Sequence, residues 1–363
     1  MAAPDWHDVG AADELEKRAV QTVTAGRARV ALTCSKGRFG AISDACNHVG
    51  GPLGQGTLEG EYVVCPWHHW KFHARTGEGE PGFEADRVPS YDVEVRDGRV
   101  WVREEPRTTR NKLPHARHAL ERKLERVPGG VRVLGISTTA MDERFPRFST
   151  SEELLRTSLD HARDSLGLEA KLLRLSSLSF RNCEGYYSKS SRACTWPCSI
   201  TQMDPADQME EVYEGLVFWA DVVLIATPIR WGAASSLFFK MAERLNCVQN
   251  QVTIAGRVML RSKVAGFVIT GGQDNVQAVA GQMLQFFGEL GMNFPQFSFI
   301  AHSRGWTAED MERNVQAVQR SKELHDGARA LVERSVELAR TLLERCEPVS
   351  RTERGGRKAH PIE

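Results

Sequence analysis

Two short segments constrain this chain more than any other feature: Cys46-Asn-His48 and, after an interval of sixteen residues, Cys65-Pro-Trp-His68. Each offers one thiolate and one imidazole. A mixed set of two Cys and two His binds zinc, or a [2Fe–2S] cluster with both Cys on one iron and both His on the other. Zinc-finger spacing places a Cys pair first and a His pair later. Here each segment holds both ligand types, so one Cys and one His must come from each side. That arrangement suits two irons, each bridging both loops.

The rest of the chain supplies the setting. At 363 residues it is long enough for two domains. Residues 1–103 read as short strands (Arg29–Thr33, Gly37–Ile42, Tyr62–Val64, Tyr91–Val95, Arg99–Val102) punctuated by Gly, Asp and Pro, with Arg96-Asp-Gly98 as a hairpin turn. This predicts an all-β domain over 1–105. Residues 106–130 predict a linker with one short basic helix, and net charge changes from −5 over 1–105 to +5 over 106–127. From Val131 apolar runs (Val131–Ile136, Lys171–Leu175, Asp221–Thr227, Lys263–Thr270, Phe294–Ala301) alternate with helical patterns (from Thr150, Met209–Phe218, Ser235–Leu245, Asn275–Leu290, Glu309–Glu344). Ser149 and Thr150 ahead of Glu152 and Glu153 form a doubled capping-box signature. These predict an α/β domain over 131–345, a five-stranded parallel sheet with helices on both faces. Residues 346–363 are expected to be a disordered tail.

Lys+Arg and Asp+Glu both number 47, so overall charge makes no case for nucleic acid or an anionic membrane. No apolar run approaches the ~18 residues of a spanning helix, and the N-terminus lacks the apolar core of a secretory signal. The expected location is the cytoplasm, where thiols stay reduced.

Residues 1–103 resemble a Rieske ferredoxin domain, through Cys46-x-His48, Gly50-Gly51, Leu53, Gly56, Cys65-Pro66-Trp67-His68, Phe72 and Thr76-Gly77. The resemblance implies a [2Fe–2S] cluster with Cys46, His48, Cys65 and His68 as metal ligands. Respiratory Rieske proteins carry a further Cys in each loop, joined as a disulfide; those positions here are Gly51 and Trp67. Their potential-raising Ser and Tyr hydroxyls are replaced here by Trp70 and Phe72. Fewer donors to sulfur imply a low-potential, ferredoxin-type electron carrier. His69 and His73 are expected to be surface or supporting histidines, and Cys34 a buried small hydrophobe.

In open parallel sheets ligands bind beyond the carboxyl ends of the strands. The loop Ser137-Thr-Thr139 through Ser149-Thr-Ser151 is rich in hydroxyls and ends at a helix N-terminus, which suits a phosphate, with Arg144 and Arg147 adding charge. No nucleoside-triphosphate or dinucleotide glycine motif follows a strand. Two further strand ends, Thr227-Pro-Ile-Arg-Trp-Gly232 and Thr270-Gly-Gly-Gln273, with Ser235-Ser236, Lys240, Arg244 and Gly291-Met292, are similar to the NADPH-dependent FMN reductase family, flavodoxin-like in fold. The resemblance implies FMN, its phosphate held at Ser137, Thr150 and Ser151 and its ring at Thr227, Pro228, Ile229, Arg230, Trp231, Gly232, Thr270, Gly271 and Gly272. The first loop is longer than the family's short turn. Cys183, Cys194 and Cys198 lack the compact spacing of the additional iron–sulfur centre found in some members, and free or redox-active thiols are expected.

No pair of residues stands out as general acid and base, so the chemistry would belong to the cofactors. Together the two resemblances imply an oxidoreductase passing electrons from NAD(P)H through FMN to the Rieske centre and on to a small-molecule or protein acceptor such as an oxygenase. Two other readings stay open: a Rieske-fed FMN reductase of quinones or other small molecules, and a non-enzymatic redox sensor or carrier. A homo-oligomer is expected by resemblance alone.

Overall fold

The computed structural model describes residues 5–345 apart from 49, 82, 85, 112–117, 127, 186, 188–193, 272–274 and 306. The expected tail, 346–363, lies outside the described residues. The chain forms two units: Met1–Leu124, Leu178–Glu214 and Lys240–Arg257 make the first, and Glu125–Ser177, Gly215–Phe239 and Val258–Glu363 the second. Among the described residues no helix is long and apolar enough to cross a membrane.

Among the described residues of the first unit are ten strands: β1 (Trp6–Ala11), β2 (Val20–Ala25), β3 (Ala28–Ser35), β4 (Arg38–Ser43), β5 (Thr57–Glu59), β6 (Tyr62–Val64), β7 (Lys71–His73), β8 (Ser90–Tyr91), β9 (Val93–Arg96) and β10 (Arg99–Arg103). They pair antiparallel in sheets ordered β1-β10-β9, β2-β3-β4-β8 and β5-β6-β7. Successive side chains of β3 point to opposite faces. Val30 and Leu32 pack with Ala41, Val100 and Val102, while Ala31 packs with Ile42, Val63, Phe72, Cys46 and Cys65. The two segments that opened the argument thus stand on their own small core. The Asp97-Gly98 turn has both residues in the left-handed region, φ 47° and 73°, as a tight hairpin between β9 and β10 requires.

Short helices complete this unit: α1 (Ala12–Leu15), α3 (Ser199–Met203), α4 (Met209–Tyr213) and α6 (Asn246–Thr253). A fully buried ion pair links α3 to the segment ahead of α6. Arg244 donates to both carboxylate oxygens of Asp207, at 2.9 and 2.7 Å, and also to Thr201 Oγ1 at 2.7 Å and the Arg181 carbonyl at 2.8 Å. Deleting one partner of such a pair strands a charge and costs about 3–5 kcal/mol. The basic connector differs from expectation: its described residues hold a single 3-10 turn, Ala119–Glu121, rather than a helix.

The second unit is a five-stranded parallel sheet ordered β12-β11-β13-β14-β15, with β11 (Arg132–Ser137), β12 (Glu169–Arg174), β13 (Val222–Pro228), β14 (Val264–Gly271) and β15 (Phe299–Ser303). The continuous apolar runs of β11, β13 and β14 are what a sheet covered on both faces demands. One face packs on α2 (Thr150–Asp164), α8 (Ala308–Arg320) and α9 (Lys322–Arg345), through Leu155, Leu159, Val318, Leu331 and Val332. The alternate residue Phe267 meets Phe287 of α7 (Val276–Glu289) on the other face, where Phe238 of α5 (Ser236–Arg244) also contacts Phe287. Three boundaries depart from the sequence pattern. β15 begins only after Pro295, which lacks an N–H, and Phe297, at φ 50°. The long C-terminal helix is broken at Ser321, whose hydroxyl accepts from Leu324 N at 3.2 Å and starts α9. The helix from Met209 becomes a π-turn over Glu214–Trp219.

Lys263, at the start of β14, donates to the Ala220 carbonyl, and burial brings its ammonium down from 10.5 to about 8, against the opposing pull of Asp221. Between those values the unfolded chain holds the extra proton, so this residue makes stability rise with pH from about 8 to 10.5, by up to about 3 kcal/mol. Lys263→Met should flatten that rise when chemical denaturation is compared at pH 7.5 and 10; an unchanged difference would show the ammonium is not strained.

Candidate functional site

The two loops of the first unit that carry Cys46 and His48, and Cys65 and His68, share one backbone design. Cys46 N donates to the Gly51 carbonyl at 2.9 Å, and Gly50 N returns a bond to the Cys46 carbonyl at 3.0 Å. In the second loop Cys65 N donates to the Trp70 carbonyl at 2.8 Å, and His69 N bonds the Cys65 carbonyl at 3.0 Å. The fifth residue of each loop is left-handed: Gly50 at φ 79° and His69 at φ 59°. His69 therefore has a backbone role that its sequence did not signal. His73 holds the neighbouring turn, its Nδ1 accepting from Arg75 N and Thr76 N at 3.3 and 3.2 Å.

These paired loops bring like donors together. The Cys46 and Cys65 thiols are hydrogen-bonded to each other. The His48 and His68 rings lie 4.2 Å apart, at 76°. Among the described residues no three His, Cys, Asp or Glu side chains converge as they would on one ion. A tetrahedral zinc site would need all four donors around a single point. A thiol pair beside an imidazole pair instead fits a two-metal cluster with different ligands on each iron.

The electrostatics fit as well. The hydrogen bond from Cys46 brings the Cys65 thiol down to about 7, helped by the N–H groups of Trp67 and His68, while burial pushes Cys46 up. Burial first, then the charge of His69, brings His68 down to about 4, which keeps it neutral as a ligand must be. Its Nδ1 is buried with no hydrogen-bond partner, an orphan that a metal would satisfy. A Cβ built on Gly51 would lie 2.8 Å from Cys65 Sγ and 3.1 Å from the Trp67 ring, so positions 51 and 67 face each other over the thiol. Trp70 stacks on His48 at 4.8 Å and 8°, and Phe72 is buried beneath. Neither offers a hydroxyl. Two residues here escaped the sequence reading. Arg110, in the basic connector, bonds Ser43 Oγ at 2.9 Å, the Ala45 carbonyl at 2.8 Å and Asn47, pinning the first loop. Gln202 bonds His48.

In the second unit the other candidate residues gather at the carboxyl ends of β11, β13 and β14. Ser137 ends β11 beside Ala226. The hydroxyls of Thr139, Ser149 and Ser151 lie 2.7 to 3.3 Å from one another. Ser149 caps α2, accepting from Glu152 N at 3.3 Å. Thr150 reaches Thr270 Oγ1 at 2.6 Å, joining the first loop to the third. The amides of Thr150 and Ser151, in the first turn of α2, are the donors a phosphate would take. A cavity of about 370 Å³ beside them is lined by Arg147, Phe148, Glu152, Arg156 and Arg174. Glu152 is neutralised there by Arg156 and Arg174, at 2.9 and 2.8 Å, whereas Arg144 pairs with Asp142.

The second loop leaves β13 at Thr227 and Pro228. Ile229 N bonds the Thr270 carbonyl at 2.7 Å, and Arg230 and Ala233 exchange backbone bonds at 2.8 and 3.0 Å. At its tip Trp231 is 94% exposed at φ 52°, followed by Gly232 at φ 71°, whose carbonyl accepts from Asn275 at 2.6 Å. A Cβ on Gly271 would lie 2.7 Å from that of Ile229, so these loops pack as tightly as glycine allows. Gly272 lies outside the described residues. Hydroxyls and helix N-terminus at one edge, with an exposed indole and bare backbone at the next, fit a phosphorylated planar cofactor.

Among the described residues, Cys34, Cys183, Cys194, Cys198 and Cys247 are free thiols in the first unit. Cys198 is hydrogen-bonded to Cys247, which with nearby Arg244 brings it down to about 5; burial pushes Cys194 up to about 12. Cys34 is half-buried on β3, more open than its apolar strand implied.

Comparison with known proteins finds two family matches along the chain. Residues 5–92 match the family described as Rieske [2Fe-2S] domain, and residues 131–306 that described as NADPH-dependent FMN reductase. Ferredoxin CarAc of Metapseudomonas resinovorans is 33% identical over 100 residues, 27% of this chain and 92% of that protein. The 4beta-methylsterol monooxygenase of Methylococcus capsulatus is 30% identical over 112 residues, 28% of this chain and 30% of the relative. Human apoptosis-inducing factor 3 is 33% identical over 90 residues, 25% of this chain and 15% of the relative. The chain thus spans less than a third of the last two.

Redox titration is expected to place the midpoint near the low end of the Rieske range, about −150 mV, and Phe72→Tyr, which adds a hydroxyl, should raise it. A wild-type midpoint near about +300 mV would contradict the absence of hydroxyl donors to sulfur.

Proposed function

Because this chain belongs to the Rieske [2Fe-2S] family through residues 5–92 and to the NADPH-dependent FMN reductase family through residues 131–306, we propose that it passes electrons from NAD(P)H through FMN to the Rieske centre and on to an acceptor. That it is an NAD(P)H-dependent oxidoreductase follows from the families themselves. Bound FMN takes two electrons as hydride and releases them singly, and a [2Fe–2S] centre carries one at a time. The observation that carries the proposal is the covalent union of these two capacities in one chain.

The chain's own residues do the rest. Cys46, Cys65, His48 and His68 would hold a [2Fe–2S] cluster, the thiolates on one iron and the imidazoles on the other. Gly51 leaves space beside the Cys65 thiol that any side chain would fill. Ser137, Thr150 and Ser151 with the N-terminus of α2 bind the FMN phosphate. The Thr227–Gly232 turn, Thr270 and the Gly271–Gly272 segment hold the ring, with backbone groups of the two loops setting its environment. No side chain is asked to move a proton to or from carbon. Similarity to a ferredoxin and to a monooxygenase supports an oxygenase-type protein as the acceptor, and the basic connector beside the acidic β-rich half gives it a charged surface to meet.

Anaerobic stopped-flow mixing with NADPH is expected to bleach the flavin absorbance first and the cluster absorbance after it. A flavin that reduces while the cluster stays oxidised would eliminate the route.

A further inference from the structure

His48 is wholly buried, and its outer nitrogen Nε2 lies 2.9 Å from Oε1 of Gln202. Gln202 belongs to α3, is itself buried, and lies outside the Rieske match, among the residues that match the FMN reductase family. Both residues sit in the first unit. The amide has one orientation: its Nε2 donates to the Pro197 carbonyl at 2.7 Å, and a carbonyl only accepts. The amide oxygen is therefore the atom facing His48, and it needs a hydrogen from that ring. His48 must carry its hydrogen on Nε2, which leaves the lone pair on Nδ1. Nδ1, the other ring nitrogen, is also buried, and the ring face is covered by Trp70 at 4.8 Å.

We infer that Gln202 is a positioning residue for the iron–sulfur centre: it fixes His48 in the Nδ1-ligating tautomer, and its carbonyl oxygen strengthens the imidazole as a donor to iron. The inference rests on the Rieske reading of His48 and adds a residue from the reductase-like half to the cluster's surroundings. A partner that accepts the outer N–H of a ligating imidazole orients the ring and raises its basicity. A more basic ligand favours the oxidised centre, so the amide holds the potential down. A carboxylate in the same place would do so more strongly, because a charged acceptor makes the stronger hydrogen bond.

The test compares wild type, Gln202→Leu and Gln202→Glu as purified full-length holoprotein. Iron content and the low-temperature EPR spectrum of reduced wild type establish the Rieske centre independently; a protein without that signal defeats the Rieske reading itself, before Gln202 is reached. Given the signal, midpoint potentials decide. Gln202→Leu should favour reduction about tenfold, a rise of about 59 mV for one electron, and Gln202→Glu should shift the potential the opposite way. Glutamate keeps the size of the side chain and an acceptor oxygen toward His48 but gives up the N–H that Gln202 donates to the Pro197 carbonyl, so iron content is measured in both variants beside their potentials. A Gln202→Glu potential equal to or above wild type overturns the proposal. Shifts of the same sign in both variants, the mark of a purely structural role, overturn it too.

Discussion

Burying two thiols against each other and two imidazoles against each other is costly unless something binds them. That constraint organises the first unit. Two loops of the same backbone design, each closed by a reciprocal pair of bonds through its cysteine, set like donors side by side. Burial pushes the Cys46 thiol up, the hydrogen bond from Cys46 brings Cys65 down against burial, and burial keeps His68 neutral. The small core under Cys46 and Cys65 and the staple from Arg110 make the loops rigid. A dinuclear centre is the ligand that such an arrangement of half-satisfied soft donors accommodates.

The second constraint is covalent. The Rieske match ends at residue 92, yet the first unit also takes in Leu178–Glu214 and Lys240–Arg257, which lie within the FMN reductase match. The fully buried pair of Arg244 and Asp207 joins those two excursions and holds α3, which places Gln202 against His48. One half of the sequence thereby shapes the surroundings of the paired Cys and His loops of the other half. The candidate flavin residues, in contrast, all come from one family match and one unit.

What could be read in advance was local. Paired Cys and His at fixed spacing, Asp97-Gly98 between alternating strands, and unbroken apolar runs such as Val222 to Ala226 carry their meaning within a few residues. β1 was missed because its mixed surface pattern gains a role only by pairing with β10, some ninety residues on, as the Asp8–Trp101 register shows. Gln202 and Arg110 are polar residues in unremarked stretches. Their partners lie 154 and 63 positions away, and no local pattern marks them. The break at Ser321 shows the reverse: a serine cap interrupts a helical period that continues on both sides of it.

The central claim is that two thiolates and two imidazoles divide between two irons. Mössbauer spectroscopy of isotopically enriched holoprotein measures it directly. Two iron sites of equal population and different character are expected, with the added electron on reduction confined to one of them. A single class of iron, or zinc in place of iron, would contradict the account.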